Sequence, residues 1–260
     1  MRRWLAATVE RALLGWEDAE IRAGRLWADV LPVRRWVRRQ AVRSRARPLA
    51  WGSLYVAGFC ALSVLMVDRP VARLFKAHLG GETEGFFKTV TRLGEAQLYL
   101  YPAALLCLLL LLAGWRATSV QRRGHWWHLA VPPGFLFLSI ALSGLISNAI
   151  KFSLGRLRPR YWFDQGIYGF EPFNSHWGMN SFPSGHSQAA FAAMTALVVI
   201  LPRHAALWLT VAALVAVSRV VTTVHWLSDA VGGSWLAICV TILLARWFRA
   251  RGWSPSLSRD

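Results

Sequence analysis

Residues 96–115 pass without one charged side chain, and Ala103–Ala113 within them is wholly apolar. A stretch of that length and character fits few settings. In hydrocarbon every backbone N–H and C=O must be satisfied internally, so the stretch must be a helix about as long as a bilayer is thick. Similar apolar segments lie at about 50–67, 129–150, 187–202, 205–218 and 229–247. In a chain of 260 residues, 55% apolar, these blocks are too long and too poor in charge for the helices of a soluble protein. The expected fold is therefore all-α, an integral membrane six-helix bundle. Only Pro202-Arg203-His204 separates the fourth and fifth segments. A proline followed by two basic residues reads as a tight hairpin rather than as a flaw in one long helix.

The formal net charge is +17, which in a soluble protein would suggest nucleic acid. Here the basic residues flank the apolar blocks, so no nucleic-acid partner is expected and the charge reads as membrane topology. Residues 34–47 hold seven arginines and no acid, the 116–128 connection holds Arg116, Arg122 and Arg123, and four arginines follow residue 245. Residues 68–95 instead mix five basic side chains with four acidic ones. The excess of Lys and Arg on cytoplasmic loops then puts both termini, the 116–128 loop and the 203–204 turn inside. Residues 68–95, 151–186 and 219–228 face outward, and the localisation expected is the inner (plasma) membrane. Leu5, Val9, Leu13 and Trp16 recur at helical spacing among arginines. This predicts a basic interfacial helix on the inner leaflet or one packed against cytoplasmic loops. The expected organisation is an N-terminal basic segment (1–49), a six-span membrane domain (50–247) and a cytoplasmic tail (248–260). Cys60, Cys107 and Cys239 all lie inside apolar blocks without ligand-like spacing, so neither disulfides nor metal sites are expected.

Three polar clusters fall on the predicted outer side. In Lys151-Phe-Ser-Leu-Gly-Arg-Leu-Arg-Pro159 the cations Lys151 and Arg158 share a face if the third helix continues two more turns before Pro159 ends it. Two cations on one face suit an anion with several oxygens, although alone they also fit residues snorkelling at a helix end. In Ser181-Phe-Pro-Ser-Gly-His-Ser-Gln188 a Pro-Ser-Gly turn opens onto a helix. Its free N–H groups at Gly185, with the Ser184 hydroxyl, form a phosphate cradle facing His186; the plainer alternative is a helix cap. In Ser218-Arg-Val-Val-Thr-Thr-Val-His-Trp-Leu-Ser-Asp229, His225 and Asp229 are four apart and adjacent on a helix. The carboxylate then orients one ring nitrogen and leaves the other electron-rich. A capping Asp beside an interfacial His also explains Asp229 but leaves Arg219 unused.

Jointly the clusters match, in order, the signature K-x6-R-P, P-S-G-H, S-R-x5-H-x3-D. The sequence therefore resembles the type 2 phosphatidic acid phosphatase superfamily, which embraces bacterial lipid phosphatases, glucose-6-phosphatase and vanadium-dependent haloperoxidases. The resemblance implies a metal-independent membrane lipid phosphatase, without cofactor, working through a phosphohistidine. It implies His225 as nucleophile, Asp229 as its orienter and His186 as the acid that protonates the leaving group. It further implies Lys151, Arg158, Ser184, Gly185 and Arg219 as the clamp on the phosphate oxygens. The chemistry agrees, because phosphoryl transfer gains chiefly from positioning and from charge placed against the equatorial oxygens. No metal is expected, since Asp and Glu total only thirteen and are scattered.

The expected substrate is a lipid phosphate or diphosphate, with membrane lipids around it: phosphatidic acid, phosphatidylglycerophosphate, undecaprenyl diphosphate or lipid A 1-phosphate. The loop Arg160–Phe173 is the candidate selector, either as a headgroup pocket or as an interfacial aromatic belt. Its Tyr168-Gly-Phe-Glu-Pro-Phe173 wording is similar to bacterial lipid A 1-phosphatases. Two alternatives use the same residues: phosphotransfer to another lipid, and phosphate-lipid binding or transport without turnover. The intact pairing of His225 with Asp229 disfavours the last, because binding needs cations more than an activated histidine.

Overall fold

The computed structural model describes residues 47–174, 176 and 178–257. The helix expected within residues 1–32 lies outside them. The chain divides into two compact units, Met1–Gly52 and Ser53–Asp260, and the site is built wholly in the second.

Among the described residues the regular elements are helical. They are α1 (Pro48–Leu62), a π-helical turn (Ser63–Val67), α2 (Asp68–His78), α3 (Gly81–Val90), a 3-10 turn (Thr91–Gly94), α4 (Gln97–Arg116) and α5 (Val120–Leu154). There follow α6 (Pro159–Gln165), α7 (Gly185–Ile200), a 3-10 turn (Pro202–His204), α8 (Ala205–Val221) and α9 (Leu227–Ala250). Five helical stretches are long and apolar enough to cross a membrane: Pro48–His78, Gly81–Arg116, Val120–Leu154, Pro202–Val221 and Leu227–Ala250.

The sixth expected span is α7, only 16 residues long. At 1.5 Å per residue it reaches about 24 Å, short of a hydrocarbon core of about 30 Å. Its neighbours compensate, because α7 packs against α5, α8 and α9 together. Ala189, Ala190, Ala192, Ala193 and Ala196 are fully enclosed. Small side chains let the surrounding backbones approach, which is how helices gain dispersion contacts where lipid offers no hydrophobic drive. The core clusters on this helix: Ala192, Ala193 and Met194 meet Ile140 of α5, Ala212 of α8 and Ala237 of α9. Leu105, Leu108, Leu109 and Leu112 of α4 remain exposed, as a lipid-facing surface requires.

Local chemistry, not hydropathy, sets the helix ends. The third segment, expected over 129–150, is helical over Val120–Leu154. Ser119 caps its start by accepting the Arg122 amide at 3.2 Å. Gly155 ends it in the left-handed region at φ 56°. A Cβ at Gly155 would also fall 1.6 Å from the Glu171 carbonyl oxygen, so only glycine fits. This corrects the expectation that the helix carries on to Arg158. Pro159, expected as a terminator, instead opens α6 at its first turn, where its missing N–H costs nothing. The Pro202–His204 turn lies between α7 and α8 as expected.

The helix directions bring the end of α5, the start of α7, the end of α8 and the start of α9 to one end of the bundle. Arg116, Arg122, Arg123, Arg203 and Arg249 collect at the other.

Candidate active site

Lys151, Arg158, Gly185, His186, Arg219 and His225 line one cavity of about 230 Å³, together with Asn148 and Asn180. Lys151 and Arg158 reach it from opposite sides of the Gly155 turn rather than from one helical face. The Lys151 ammonium donates to the carbonyls of Asn180 and Ser181, both at 3.5 Å, and of Pro183. It thus fastens the Pro-Ser-Gly turn to α5 while presenting its charge to the cavity.

Arg219, in the last turn of α8, donates through Nη1 to Thr91 Oγ1 at 2.7 Å. Its Nε and that of Arg158 are buried without a protein acceptor. A buried guanidinium N–H left unpaired costs on the order of 1–3 kcal/mol. Both side chains line the cavity, and two guanidinium groups beside the Lys151 ammonium suit it to an anion with several acceptor oxygens. The amides of Gly185 and His186, first in α7, precede the helical hydrogen-bond ladder and add the positive end of the helix dipole.

Ser184 departs from expectation. Its side chain is fully buried and does not line the cavity. The hydroxyl accepts from Ser187 Oγ at 3.1 Å and from the Ser187 amide at 3.5 Å. Its own amide donates to the Asp229 carbonyl at 2.9 Å. A capping hydroxyl turned into the helix holds the cradle in place and is not part of its wall.

His225 and Asp229 meet differently from the expected helical pair. His225 precedes α9, Trp226 is the N-cap, and Asp229 is the third residue of the helix. Asp229 Oδ2 accepts the Trp226 amide at 2.9 Å and the Ser181 hydroxyl, and lies 3.5 Å from His225 Nδ1. Ser181 Oγ is also 3.2 Å from Nδ1. Asp229 therefore caps the helix and orients the imidazole at once. With acceptors gathered at Nδ1, the proton sits there and Nε2 carries the free lone pair. His225 is only 3% exposed. Burial pushes its pKa down to about 3, against the upward pull of the Asp229 hydrogen bond and with a further push from Lys151. A lowered pKa extends the neutral, nucleophilic form to lower pH. Ring-nitrogen NMR of the protein should then find His225 uncharged at pH of about 5, where a histidine near its ordinary 6.5 is mostly protonated. A midpoint near 6.5 would contradict this.

Four groups beneath His225 escaped the sequence reading: Ser181, Arg156, Ser228 and Asp68. Arg156 Nη1 reaches Asp229 Oδ1 at 2.5 Å, and Nη2 reaches Asp68 Oδ2 at 2.6 Å. Ser181 and Arg156 stand inside the quoted motifs, yet nothing in their spacing marks them. Asp68 sits in the mixed-charge stretch after the first span, where it reads as an ordinary loop acid.

The selector loop behaves otherwise than proposed for a pocket. Trp162 and Tyr168 pack on the buried Trp226 at ring distances of 5.8 and 5.0 Å. No aromatic residue of the loop lines the cavity around His225. Beside that cavity is a cleft of about 470 Å³ that shares Asn148, Gly185 and His186 with it. Ala96, Leu100, Ile140, Ala141 and Leu145 form its apolar walls between α4 and α5, with Glu95 and Gln97 at its polar end. A larger groove of about 610 Å³ between α2, α8 and α9 is almost wholly apolar, with Ser234 as its one polar side chain.

The PAP2 superfamily model matches residues 132–253, which hold every residue lining the cavity around His225. A lipid A 1-phosphatase of Rhizobium johnstonii is 30% identical over 231 residues, covering 85% of this chain and 89% of that protein. The chain belongs to the PAP2 superfamily. It is a PAP2-type membrane lipid phosphatase, as the motif resemblance implied. Lipid phosphate phosphatase 2 of Arabidopsis thaliana is 33% identical over 162 residues, covering 47% of this chain and 53% of its own. The transmembrane PAP2-type phosphatidylglycerolphosphate phosphatase of Bacillus subtilis has the same fold, with TM-score 0.57 and 21% identity over 78% of this chain and 96% of its own.

Proposed function

We propose that this phosphatase removes a phosphate from a membrane lipid at the outer membrane face through a phosphohistidine on His225. The observation that carries the reading is an imidazole held by Asp229 on the same cavity as the cationic side chains of Lys151, Arg158 and Arg219. The guanidinium groups of Arg158 and Arg219, the Lys151 ammonium and the Gly185 amide take the non-bridging oxygens, while Ser184 holds the turn.

His225 Nε2 attacks phosphorus, the P–N bond forms, and the P–O bond to the lipid breaks with its electron pair on the leaving oxygen. His186, in the first turn of α7, gives that oxygen a proton. In the second step His186 takes a proton from water as the water oxygen attacks phosphorus. The P–N bond breaks, and its electron pair returns to Nε2. Three cations and a helix N-terminus stabilise charge on the transferring group as metal ions do elsewhere.

The cleft between α4 and α5 supports a lipid substrate. It adjoins the cavity that holds His225 and has apolar helix walls, an arrangement in which a headgroup reaches His225 while its chains stay in hydrocarbon. Of the candidate substrates a lipid A-type glycosyl 1-phosphate ranks first, because the Rhizobium relative aligned over most of its length bears that activity in its name. The arginines at the opposite end of the bundle support a cytoplasmic placement for that end and an outward one for the site.

The test is an assay of the purified protein in detergent with chelator present, against a panel of lipid phosphates and diphosphates. Phosphate release and an acid-labile, base-stable labelled adduct on the protein are expected. Full dependence on added metal, or no adduct under rapid quench with a turning-over substrate, would overturn the mechanism. Added lipid acceptors distinguish transfer from hydrolysis in the same assay.

A further inference from the structure

The network below His225 extends to a helix that carries none of the motifs. Asp68 opens α2 directly after the π-helical turn and is 1% exposed. Its Oδ1 accepts the Ser63 hydroxyl at 2.7 Å and the Ser228 amide at 3.0 Å. Its Oδ2 accepts the Ser228 hydroxyl and Arg156 Nη2, both at 2.6 Å. Arg156 Nη1 also donates to Ser228 Oγ at 2.6 Å, and Nη2 to Tyr168 OH at 3.2 Å. Tyr168 donates in turn to the Val64 carbonyl of the π turn at 2.5 Å. Single π turns inside α-helices recur at functional sites.

A buried cation between two buried carboxylates is a costly way to join helices, since well-packed apolar side chains commonly do as well or better. We propose that Asp68 and Arg156 are positioning residues for the His225 nucleophile, holding the first membrane segment, α9 and the Asp229 carboxylate in one fixed arrangement. This rests on the phosphohistidine reading above.

Three features carry the assignment. Arg156 occupies Asp229 Oδ1, which leaves Oδ2 alone to meet Ser181 and His225 and stops the carboxylate from turning. The Arg156 carbonyl accepts the Ser181 amide at 2.7 Å, so one residue fixes both groups that face Nδ1. Asp68, through the Ser228 amide, also caps the helix that carries Asp229. The charge balance points the same way. Asp68, Arg156 and Asp229 together carry one excess negative charge. When Nε2 is phosphorylated with the proton still on Nδ1, the ring becomes cationic and that excess offsets it. Without Asp68 the remaining pair is neutral and offers the ring less.

The deciding experiment compares the native chain, His225→Ala, Asp68→Asn, Ser228→Ala and Arg156→Lys in detergent. Steady-state kinetics are measured on one cleaved lipid phosphate, alongside ring-nitrogen NMR of His225 in histidine-labelled protein. Asp68→Asn is near-isosteric and should lower kcat about 10–100-fold, the usual range for a group that orients a reacting ligand. KM should stay within about two-fold, since the cation clamp is untouched. The His225 Nδ1–H resonance should shift, and Ser228→Ala should give a smaller change in the same direction. Arg156→Lys keeps the charge without the fork and should restore only part of the native rate. An unchanged His225 resonance with unchanged kcat in Asp68→Asn and Ser228→Ala would overturn the proposal. So would a loss of rate that merely follows lowered thermal stability and vanishes on cooling. If Asp68→Asn fails to fold, Ser228→Ala and Arg156→Lys decide by the same readouts. If even the native chain releases no phosphate, the phosphohistidine reading fails, and the His225 resonance alone still decides whether Asp68 and Arg156 position the ring.

Discussion

His225→Ala should lower kcat on the order of 10⁴-fold or more while leaving inorganic phosphate able to bind. The size follows from the arrangement of the site. Removing the imidazole removes the atom that attacks phosphorus, and the other imidazole on the cavity wall, His186, lacks the Asp229 carboxylate that orients His225. Losing a nucleophile in a site whose parts act as a unit leaves only the acceleration due to binding and electrostatics. Binding should survive because the groups proposed to meet phosphate oxygens, Lys151, Arg158, Arg219 and the Gly185 amide, remain on the cavity wall. Phosphate release with a lipid substrate, set beside protection of the protein against thermal unfolding by inorganic phosphate, separates the two. More than a tenth of the native rate in His225→Ala would end the case for a histidine nucleophile. Loss of phosphate protection together with activity would instead show that the variant has lost the site.

Asp229→Asn is expected to cost about 10²–10⁴ in kcat and to destabilise the fold by about 3–5 kcal/mol. The carboxylate faces hydrogen-bond donors on both oxygens: Arg156 on one, and Trp226, Ser181 and His225 on the other. An amide nitrogen set at either position meets a donor, so neither rotamer of asparagine fits. The lost charge also leaves Arg156 with Asp68 alone. This prediction separates the two roles raised by the sequence. A residue that merely capped α9 by accepting the Trp226 amide would tolerate asparagine, whose Oδ1 accepts the same bond. Kinetics and thermal unfolding of the variant decide, and near-native kcat would reduce Asp229 to a cap.

The three motifs were legible because the chemistry of each is concentrated within a dozen or so residues. Lys151 to Pro159, Ser181 to Gln188 and Ser218 to Asp229 each lie at the end of an apolar block, and apolar blocks of that length have few folds open to them. The orientation of the helices then follows, since consecutive spans alternate and the polar ends must meet on one side. What misled was the assumption of continuous helix. Lys151 and Arg158 do converge on one cavity, but across a glycine turn; His225 and Asp229 do meet, but across an N-cap. Spacing along a chain fixes which residues can meet and leaves open whether a helix or a turn brings them together.

Ser184 and Arg156 show the limits from opposite sides. The hydroxyl of Ser184 looked available from its neighbours in sequence, yet a helix start needs an acceptor for its free amides and claims it. Arg156 looked like one more basic residue in a basic stretch. Its partners Asp229 and Asp68 lie 73 and 88 positions away, so nothing local could announce them. The sequence by itself determined an all-helical membrane protein, the PAP2 signature and the cations that share one cavity with His225, because hydrophobic length and motif spacing are properties of the chain. Only the tertiary structure decided how His225 is held, since a buried charge network exists only when distant segments exclude water together.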